Sequence, residues 1–126
     1  MRLLDTDILI DLLRRHPPAV AWFATLTEVP GVPGLVVMEL IQGCTNAADL
    51  RAVTKLVKPL RVVWPTEADC RRALADVTQY RLAHHLGALD ALIGACTIGL
   101  GATLCTFNVK HYQVMVGLAT EQPYTR

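Results

Sequence analysis

Three acidic residues occupy positions where packing alone gives a poor reason for a carboxylate. Asp5 directly follows Arg2 to Leu4, a short segment typical of a strand. Glu39 interrupts the apolar run from Leu35 to Ile41, and Asp90 stands where a helix is expected to begin. Carboxylate oxygens supplied by separate segments are the ligands that Mg²⁺ and Mn²⁺ prefer. The pattern therefore predicts a divalent-metal site built from Asp5, Glu39 and Asp90.

Each of these acids has a structural alternative. Asp5 or Asp90 could instead accept the backbone N–H groups at the start of a helix, and capping explains either residue about as well as function does. Glu39 could lie on an exposed rim of a helix. The six apolar residues around Glu39 leave only a small part of such a helix surface to face solvent. Because a buried, unpaired carboxylate costs several kcal/mol, a functional role is favoured at Glu39.

Short strands and helices alternate along the chain around these acids. Leu35 to Ile41 suits a buried strand as readily as a helix, and periodicity leaves that choice open. The alternation is typical of an α/β fold on a small, mostly parallel sheet, where ligands gather at the carboxyl ends of the strands. Leu50, Cys70 and Leu74 are among the helical side chains expected to face the core. The other predicted strands are Leu60 to Trp64 and Ala102 to Thr106. Two further helices are predicted directly after Asp5 and from Pro17 onward. The remaining predicted helices span Ala47 to Lys58, Thr66 to about His85, and Asp90 to about Gly99.

Length and composition narrow the class of protein. The 126 residues suit a single domain spanning 1–126, and an apolar fraction of 52% supplies a core. Twelve Lys and Arg against eleven Asp and Glu leave a net charge of +1, which gives no global field for a polyanion. Glycines interrupt the longest uncharged stretch, Ala91 to Val109, so no membrane span is predicted. An acid as early as Asp5 does not suit a signal peptide, and we expect a cytoplasmic protein.

The four cysteines do not indicate a metal centre. Cys44, Cys70, Cys96 and Cys105 form no C-x-x-C pair, so structural zinc is not expected. In a reducing compartment these side chains are expected to be buried as small apolar groups.

Four segments together carry a family resemblance. They are Leu4 to Asp11, Met38 to Gly43, Leu89 to Ala95 and Leu104 to Tyr112, which contain Leu-Asp-Thr-Asp, Met-Glu-Leu-Ile, Leu-Asp-Ala-Leu-Ile-Gly-Ala and Cys-Thr-Phe-Asn. In this order and spacing they resemble the PIN-domain ribonucleases, specifically the VapC-type toxins of toxin–antitoxin pairs. The resemblance covers nearly the whole chain.

This resemblance implies a three-layer α/β/α fold with a helix over Leu35 to Gln42. It also implies a carboxylate cluster that holds Mg²⁺, or Mn²⁺ in its place, for endonucleolytic cleavage of RNA. Asp5, Glu39 and Asp90 match the metal-site acids of the family. The partners that it implies are an RNA substrate, a small antitoxin protein and a second copy of the chain in a homodimer.

One position departs from the family pattern. Where such toxins often carry a fourth acid after the last core strand, this sequence has His111. A neutral imidazole binds Mg²⁺ poorly because that ion prefers oxygen. We therefore expect Thr6, Thr106 and Asn108 to hold metal-bound waters or the carboxylates themselves. The candidate RNA contacts are Lys110, His111 and Arg14.

The predicted chemistry is metal-assisted hydrolysis of a phosphodiester, which needs no side-chain nucleophile. Two other functions compete with it. A phospho-accepting receiver domain would need an acceptor Asp at the end of its central strand, where this chain has Val63 to Thr66 and no acid. A non-catalytic PIN-like binding module is the second alternative, because the fourth acid is missing. If the acids converge, repulsion and partial burial should raise the pKa of at least one of them.

Overall fold

Five short strands alternate with seven helices in the computed structural model, which describes residues 1–126. None of these helices is both long and apolar enough to cross a lipid bilayer. The strands are β1 (Arg2–Leu4), β2 (Gly31–Pro33), β3 (Arg61–Val63), β4 (Thr103–Cys105) and β5 (Ala119–Glu121). The helices are α1 (Thr6–Leu13), α2 (Pro17–Ala24), α3 (Gly34–Gln42), α4 (Ala47–Val57), α5 (Glu67–His84), α6 (Ala88–Gly99) and α7 (Val109–Tyr112).

The strands form one parallel sheet in the order β3-β2-β1-β4-β5. Leu3 pairs with Leu104, and Leu4 pairs with Cys105. Successive strand residues point to opposite faces of a sheet. Since Leu3 and Leu4 are both fully buried, and so are Leu104 and Cys105, helices cover both faces. The predicted α/β fold on a small, mostly parallel sheet is confirmed, and the carboxyl ends of all five strands lie at the same edge.

Two elements of the structure, α3 and β5, could not be assigned from the hydrophobic pattern of the sequence. The segment Leu35 to Ile41, for which periodicity allows either a strand or a helix, lies within the helix α3, as the resemblance implies. Strand β5 has no counterpart among the predicted elements, because it has three residues at a sheet edge and none of them is buried. The predicted helix start at Thr66 is confirmed by reciprocal capping: Asp69 donates its backbone N–H to the Thr66 hydroxyl at 3.1 Å, and the Thr66 backbone N–H donates to the Asp69 carboxylate at 3.0 Å.

Some side chains predicted to face the core do not. Leu50 and Leu74 are 43% and 69% exposed, and Cys70 is also exposed, whereas Val53 and Ala73 are buried. The prediction was wrong for the first three because only a narrow stripe of α4 and of α5 touches neighbouring helices. Regular apolar spacing alone does not give the width of that stripe.

Close packing on α6 places the last part of the candidate site. Gly94 of α6 faces the Met115 side chain, and a Cβ atom at position 94 would clash with its sulfur. Met115 follows α7, so this close approach brings α7 against α6. As a result Tyr112, at the end of α7, lies beside Asp90, near the beginning of α6.

Candidate active site

An open cleft of about 330 Å³ lies at the carboxyl ends of β1 and β4. Four carboxylates line it, and they come from the end of β1, from α1, from α3 and from α6. All three acids predicted from the sequence are among them. The lining residues are Asp5, Thr6, Asp7, Ile10, Glu39, Asp90, Ile93, Phe107, Asn108 and Arg126.

Asp5 is the most deeply buried acid of the cleft, with 5% of its surface exposed. Its Oδ1 accepts a hydrogen bond from the Thr6 backbone N–H at 2.8 Å, so it also caps α1. Its Oδ2 accepts hydrogen bonds from the Thr106 hydroxyl at 2.9 Å and the Tyr112 hydroxyl at 3.0 Å. Burial raises the pKa of Asp5 to about 6, and the charge of Asp7 adds to this, against the effect of the hydrogen bonds. The expected raised pKa is therefore confirmed, with burial as its main cause.

Asp90 does not cap a helix. The capping residue before α6 is Gly87, which has no side chain to offer, and Asp90 lies in the first turn of the helix. Its Oδ1 accepts from the Tyr112 hydroxyl at 3.3 Å, and its Oδ2 lies 3.5 Å from Nδ1 of His111. The capping alternative is thus wrong for Asp90, and the carboxylate points into the cleft.

Glu39 lies on the other side of the cleft, on α3. Its side chain is half-buried and accepts no hydrogen bond from the protein. It also lines a second groove of about 550 Å³ between α1, α3 and α4, which Arg14 lines as well. A carboxylate that is partly desolvated and has no protein donor is available to a cation or to a hydrogen-bonding ligand.

Asp7 is a cleft residue that the sequence reasoning missed. Its Oδ1 accepts from the Ile8 backbone N–H at 2.9 Å, and its Oδ2 accepts from the Phe107 backbone N–H at 2.8 Å. Burial raises the pKa of this carboxyl too. In the sequence, Asp7 could equally fill the helix-capping role that Asp5 offers. The structure instead adds it to the cleft as a fourth carboxylate, supplied by α1 and not by the segment after β4.

Tyr112 is the second residue that was missed. It is fully buried, and its hydroxyl lies within hydrogen-bond distance of both Asp5 and Asp90. A hydroxyl has one proton, so it donates to one of the two carboxylates at a time, and its position within reach of both places acids from different elements side by side. Burial and the two nearby carboxylates raise the pKa of Tyr112 far above its ordinary value, which keeps the hydroxyl protonated. Nothing in the sequence distinguishes this tyrosine from an ordinary core aromatic.

The expected supporting residues lie on the loop that joins β4 to α7 and at the start of α1. Thr106 is fully buried and donates to Asp5, and the Asn108 backbone N–H donates to the Thr106 hydroxyl at 2.9 Å. The Asn108 side-chain amide lies 2.9 Å from Nδ1 of His111. Thr6 lines the cleft and offers its backbone N–H to Asp5. The three residues thus form a connected hydrogen-bond network around the acids.

The three candidate RNA contacts do not share one surface. His111 lies against Asp90 and Asn108 at the edge of the cleft. Lys110 is exposed and does not line the cleft, and Arg14 belongs to the neighbouring groove. The only basic residue that lines the cleft is Arg126, which the sequence reasoning did not consider.

The donor chemistry of the cleft suits a hard cation. Apart from His111 at the edge, the candidate ligands are carboxylate, hydroxyl and amide oxygens, which Mg²⁺ and Mn²⁺ prefer. No three His, Cys, Asp or Glu side chains converge closely enough to form a complete metal cage by themselves. Mg²⁺ usually keeps several waters and needs only one or two carboxylates, so the oxygen set still fits such an ion.

Comparison with known proteins gives a consistent result. The family described as PIN domain matches residues 2–116. Ribonuclease VapC19 of Mycobacterium tuberculosis is 33% identical over 130 residues, which cover 98% of this chain and 100% of that protein. A chain of the VapBC-1 structure from nontypeable Haemophilus influenzae superposes with a TM-score of 0.80 at 26% identity, covering 95% and 96% of the two chains. A chain of a toxin–antitoxin complex from Klebsiella pneumoniae has the same fold, with a TM-score of 0.80 at 21% identity and full coverage of both chains.

Proposed function

The chain belongs to the PIN-domain family, among its VapC ribonucleases, and from this premise we propose that it hydrolyses RNA phosphodiester bonds in the four-carboxylate cleft with a divalent metal ion. The observation that carries the proposal is the convergence of Asp5, Glu39 and Asp90, from three distant segments, on one cleft. A buried acid such as Asp5, surrounded only by neutral donors, gains most from a cation. Family membership also removes the receiver-domain alternative.

Asp5, Glu39 and Asp90 would hold the ion, with Asp7 beside them. When bound, Mg²⁺ or Mn²⁺ supplies a polarised water for in-line attack on phosphorus and neutralises charge on the phosphoryl oxygens. The protein holds its acids in place beforehand. Tyr112 fixes Asp5 relative to Asp90, and Thr106 fixes Asp5 relative to the loop after β4. Such fixed hydrogen bonds set the orientation of the carboxylates and keep their oxygens available.

An open cleft suits a flexible substrate. Single-stranded or looped RNA exposes its backbone and bases more freely than a duplex does, so it fits this shape best. His111 at the edge of the cleft is placed to contact such a strand, while Lys110 and Arg14 would meet it only farther from the acids.

Two protein partners belong to the proposal. The VapBC-1 and Klebsiella pneumoniae neighbours support a cognate antitoxin that binds this chain. A second copy of the chain is the other partner that the resemblance implies. In the cytoplasm, where the sequence leads us to expect the protein, antitoxin binding would restrain cleavage of cellular RNA.

The direct test is cleavage of a mixed-sequence single-stranded RNA by purified protein in Mg²⁺, in Mn²⁺ and in chelator. We expect cleavage with either ion and none in chelator, and no cleavage by Glu39→Gln, which keeps the shape of the side chain. RNA binding without cleavage in any ion would favour the non-catalytic binding module. A folded wild-type protein that neither cleaves nor binds RNA would contradict both functions.

A further inference from the structure

One arginine lies on the rim of a cleft that is otherwise acidic. Arg126 lines the same space as Asp5, Asp7, Glu39 and Asp90. It is the only basic residue that does so. Its side chain is 44% exposed, so it is accessible to a molecule that enters the cleft.

The arginine is held firmly from two sides. Its Nη2 donates to Oδ1 of Asp11 at 3.0 Å, and the Asp11 side chain is only 8% exposed. Its guanidinium carbon lies 5.0 Å from the centre of the Phe107 ring, within the range of a cation–π contact. Asp11 does not line the cleft, whereas Phe107 does. The ion pair therefore fixes the guanidinium beside the cleft without adding another acid to it.

The neighbouring chain segment is anchored in the same place. The Tyr124 hydroxyl donates to Oδ2 of Asp11 at 2.7 Å. The Tyr124 ring lies 4.9 Å from the Phe107 ring and 6.0 Å from the Trp22 ring, centre to centre. Both oxygens of Asp11 are thus used to attach residues 124–126 to α1. We call this arrangement of Asp11, Phe107, Tyr124 and Arg126 the tail clasp.

In the tail clasp, most N–H groups of the Arg126 guanidinium make no hydrogen bond to the protein. Only Nη2 of Arg126 donates a hydrogen bond to the protein, and Nε and Nη1 have no protein acceptor. A guanidinium presents its N–H groups in a planar fork that matches the oxygens of a phosphate. Holding that fork in advance reduces the entropy lost on binding. An RNA backbone that approaches four carboxylates also needs a nearby positive charge.

We propose that Arg126 is a phosphate-binding residue of the RNA site, held at the rim of the cleft by the tail clasp. It contacts the phosphate of a nucleotide next to the one being cleaved, since the acids proposed to hold the metal ion line the same cleft. This inference rests on the proposed function for the identity of the polymer. A contact of this kind acts on substrate binding, so KM should change more than kcat.

The test compares Arg126→Gln with wild type in two separate measurements. Binding of a short fluorescein-labelled single-stranded RNA is followed by fluorescence anisotropy in chelator over a series of salt concentrations. Cleavage kinetics are followed in Mg²⁺. We expect Arg126→Gln to weaken binding about tenfold, the effect of losing a hydrogen bond to a charged group. The plot of log affinity against log salt should become less steep by about 0.7, the value for one lost phosphate contact on a single strand.

Two variants separate charge from packing. Arg71→Gln removes a positive charge away from the cleft, since Arg71 is 78% exposed on α5 and does not line the cleft; it should leave binding and the salt slope unchanged. Arg126→Lys keeps the charge but loses the fork, so it should retain the salt slope while binding more weakly than wild type. Thermal melts of each variant show that the tail clasp has not unfolded, and Arg126→Lys replaces Arg126→Gln as the test if the latter does not fold.

Unchanged affinity and salt slope in folded Arg126→Gln would overturn the proposal. Tighter binding or faster cleavage by that variant would also overturn it, because Arg126 would then obstruct the cleft. Failure of the proposed function gives a different result: wild type would not cleave RNA in Mg²⁺ or Mn²⁺, while the anisotropy measurement in chelator would still decide whether Arg126 binds phosphate.

Discussion

The two ends of helix α1 hold two buried carboxylates in contrasting surroundings. Asp5, at its beginning, is 5% exposed and accepts hydrogen bonds only from neutral groups. Asp11, near its end, is 6% exposed and pairs with Arg126 as well as Tyr124. Burial raises the pKa of Asp5 to about 6. Burial also acts to raise the pKa of Asp11, but the hydrogen bonds and the Arg126 charge outweigh it and leave that pKa below its ordinary value.

The difference separates an acid that is paired within the fold from the acid that we propose as a metal ligand. Asp11 has its cation within the chain, so its charge is already compensated in the fold. Asp5 has three good hydrogen bonds but no positive partner, which leaves its ionised form costly. Burial alone would not distinguish the two residues. What distinguishes them is the charge of the groups that each carboxylate faces.

The largest expected effect is on cleavage. Asp5→Asn, Glu39→Gln and Asp90→Asn should each lower kcat/KM for RNA on the order of a hundredfold or more, because each removes part of a metal site that contributes several kcal/mol. Asp11→Asn makes the same chemical change on the same helix and should keep kcat, with no more than the rise in KM expected from loosening Arg126. Circular dichroism would verify that all four variants are folded. Wild-type rates in any one of the first three would remove that residue from the proposed site.

The next effect is on the pH dependence of stability, measured by urea unfolding in chelator. Folded Asp5 binds its proton up to pH about 6, whereas in the unfolded chain it loses the proton near pH 4. Wild-type stability should therefore fall, through Asp5, as pH rises from about 4 to about 6. The penalty above that window is on the order of 3 kcal/mol. Asp5→Asn should be free of it, so the variant should exceed wild type in stability at pH 7.5 but not at pH 4.

Asp11 should give the opposite dependence of stability on pH. Its lowered pKa contributes stability that is present above pH about 4 and lost as pH falls further. Asp11→Asn should therefore be less stable than wild type at neutral pH, and the difference should shrink in acid. If both variants shifted stability in the same direction at pH 7.5, the contrast between the two ends of α1 would be incorrect.

A smaller effect is expected from the hydroxyl that joins two cleft acids. Tyr112→Phe removes only that oxygen from a fully buried ring and frees Asp5 relative to Asp90. Losses of about tenfold to a hundredfold in metal affinity or activity are typical when a group that orients metal ligands is removed. The matched control is Tyr124→Phe, which removes a hydroxyl that donates to Asp11. Equal losses in the two variants would mean that the Tyr112 hydroxyl has no specific role in orienting the cleft acids.

The smallest effect concerns His111, which is largely exposed and lies 3.5 Å from Asp90. His111→Ala should alter Mg²⁺ affinity little, whereas His111→Asp should tighten it by adding a carboxylate next to Asp90. Calorimetric titration measures both. Abolished binding in His111→Ala would identify the imidazole as a ligand and indicate a softer ion than Mg²⁺.

Prediction from the sequence succeeded for features that have a local signature. The interrupted apolar run at Glu39 marks a residue that lines the cleft, and the pattern of Thr66 and Asp69 marks the start of α5, each through a few neighbouring residues. The fold class follows from the alternation of such local patterns. The helical state of Leu35 to Ile41, which periodicity leaves open, follows from the family resemblance carried by the order of the four segments.

The missed residues depend on tertiary contacts between distant segments. Tyr112 reaches Asp5 across 107 positions, and Arg126 reaches Asp11 across 115. Asp7 was visible in the sequence, but its second oxygen accepts from Phe107, 100 positions away, and no local pattern reveals that contact. Leu74 shows the converse error, since helical spacing placed it in the core and no helix covers it. For Tyr112, Arg126 and Asp7 the deciding contact forms only in the folded chain, between segments that are far apart in the sequence.

The most direct test of the account is titration calorimetry of Mn²⁺ into wild type, Asp5→Asn and Asp11→Asn. We expect wild type and Asp11→Asn to bind the ion with similar affinity, because the Asp11 charge is already paired with Arg126. Asp5→Asn should bind at least about tenfold more weakly, since it loses a buried ligand that has no cation of its own. Equal Mn²⁺ affinity in wild type and folded Asp5→Asn would contradict the claim that this cleft is built to hold a divalent ion.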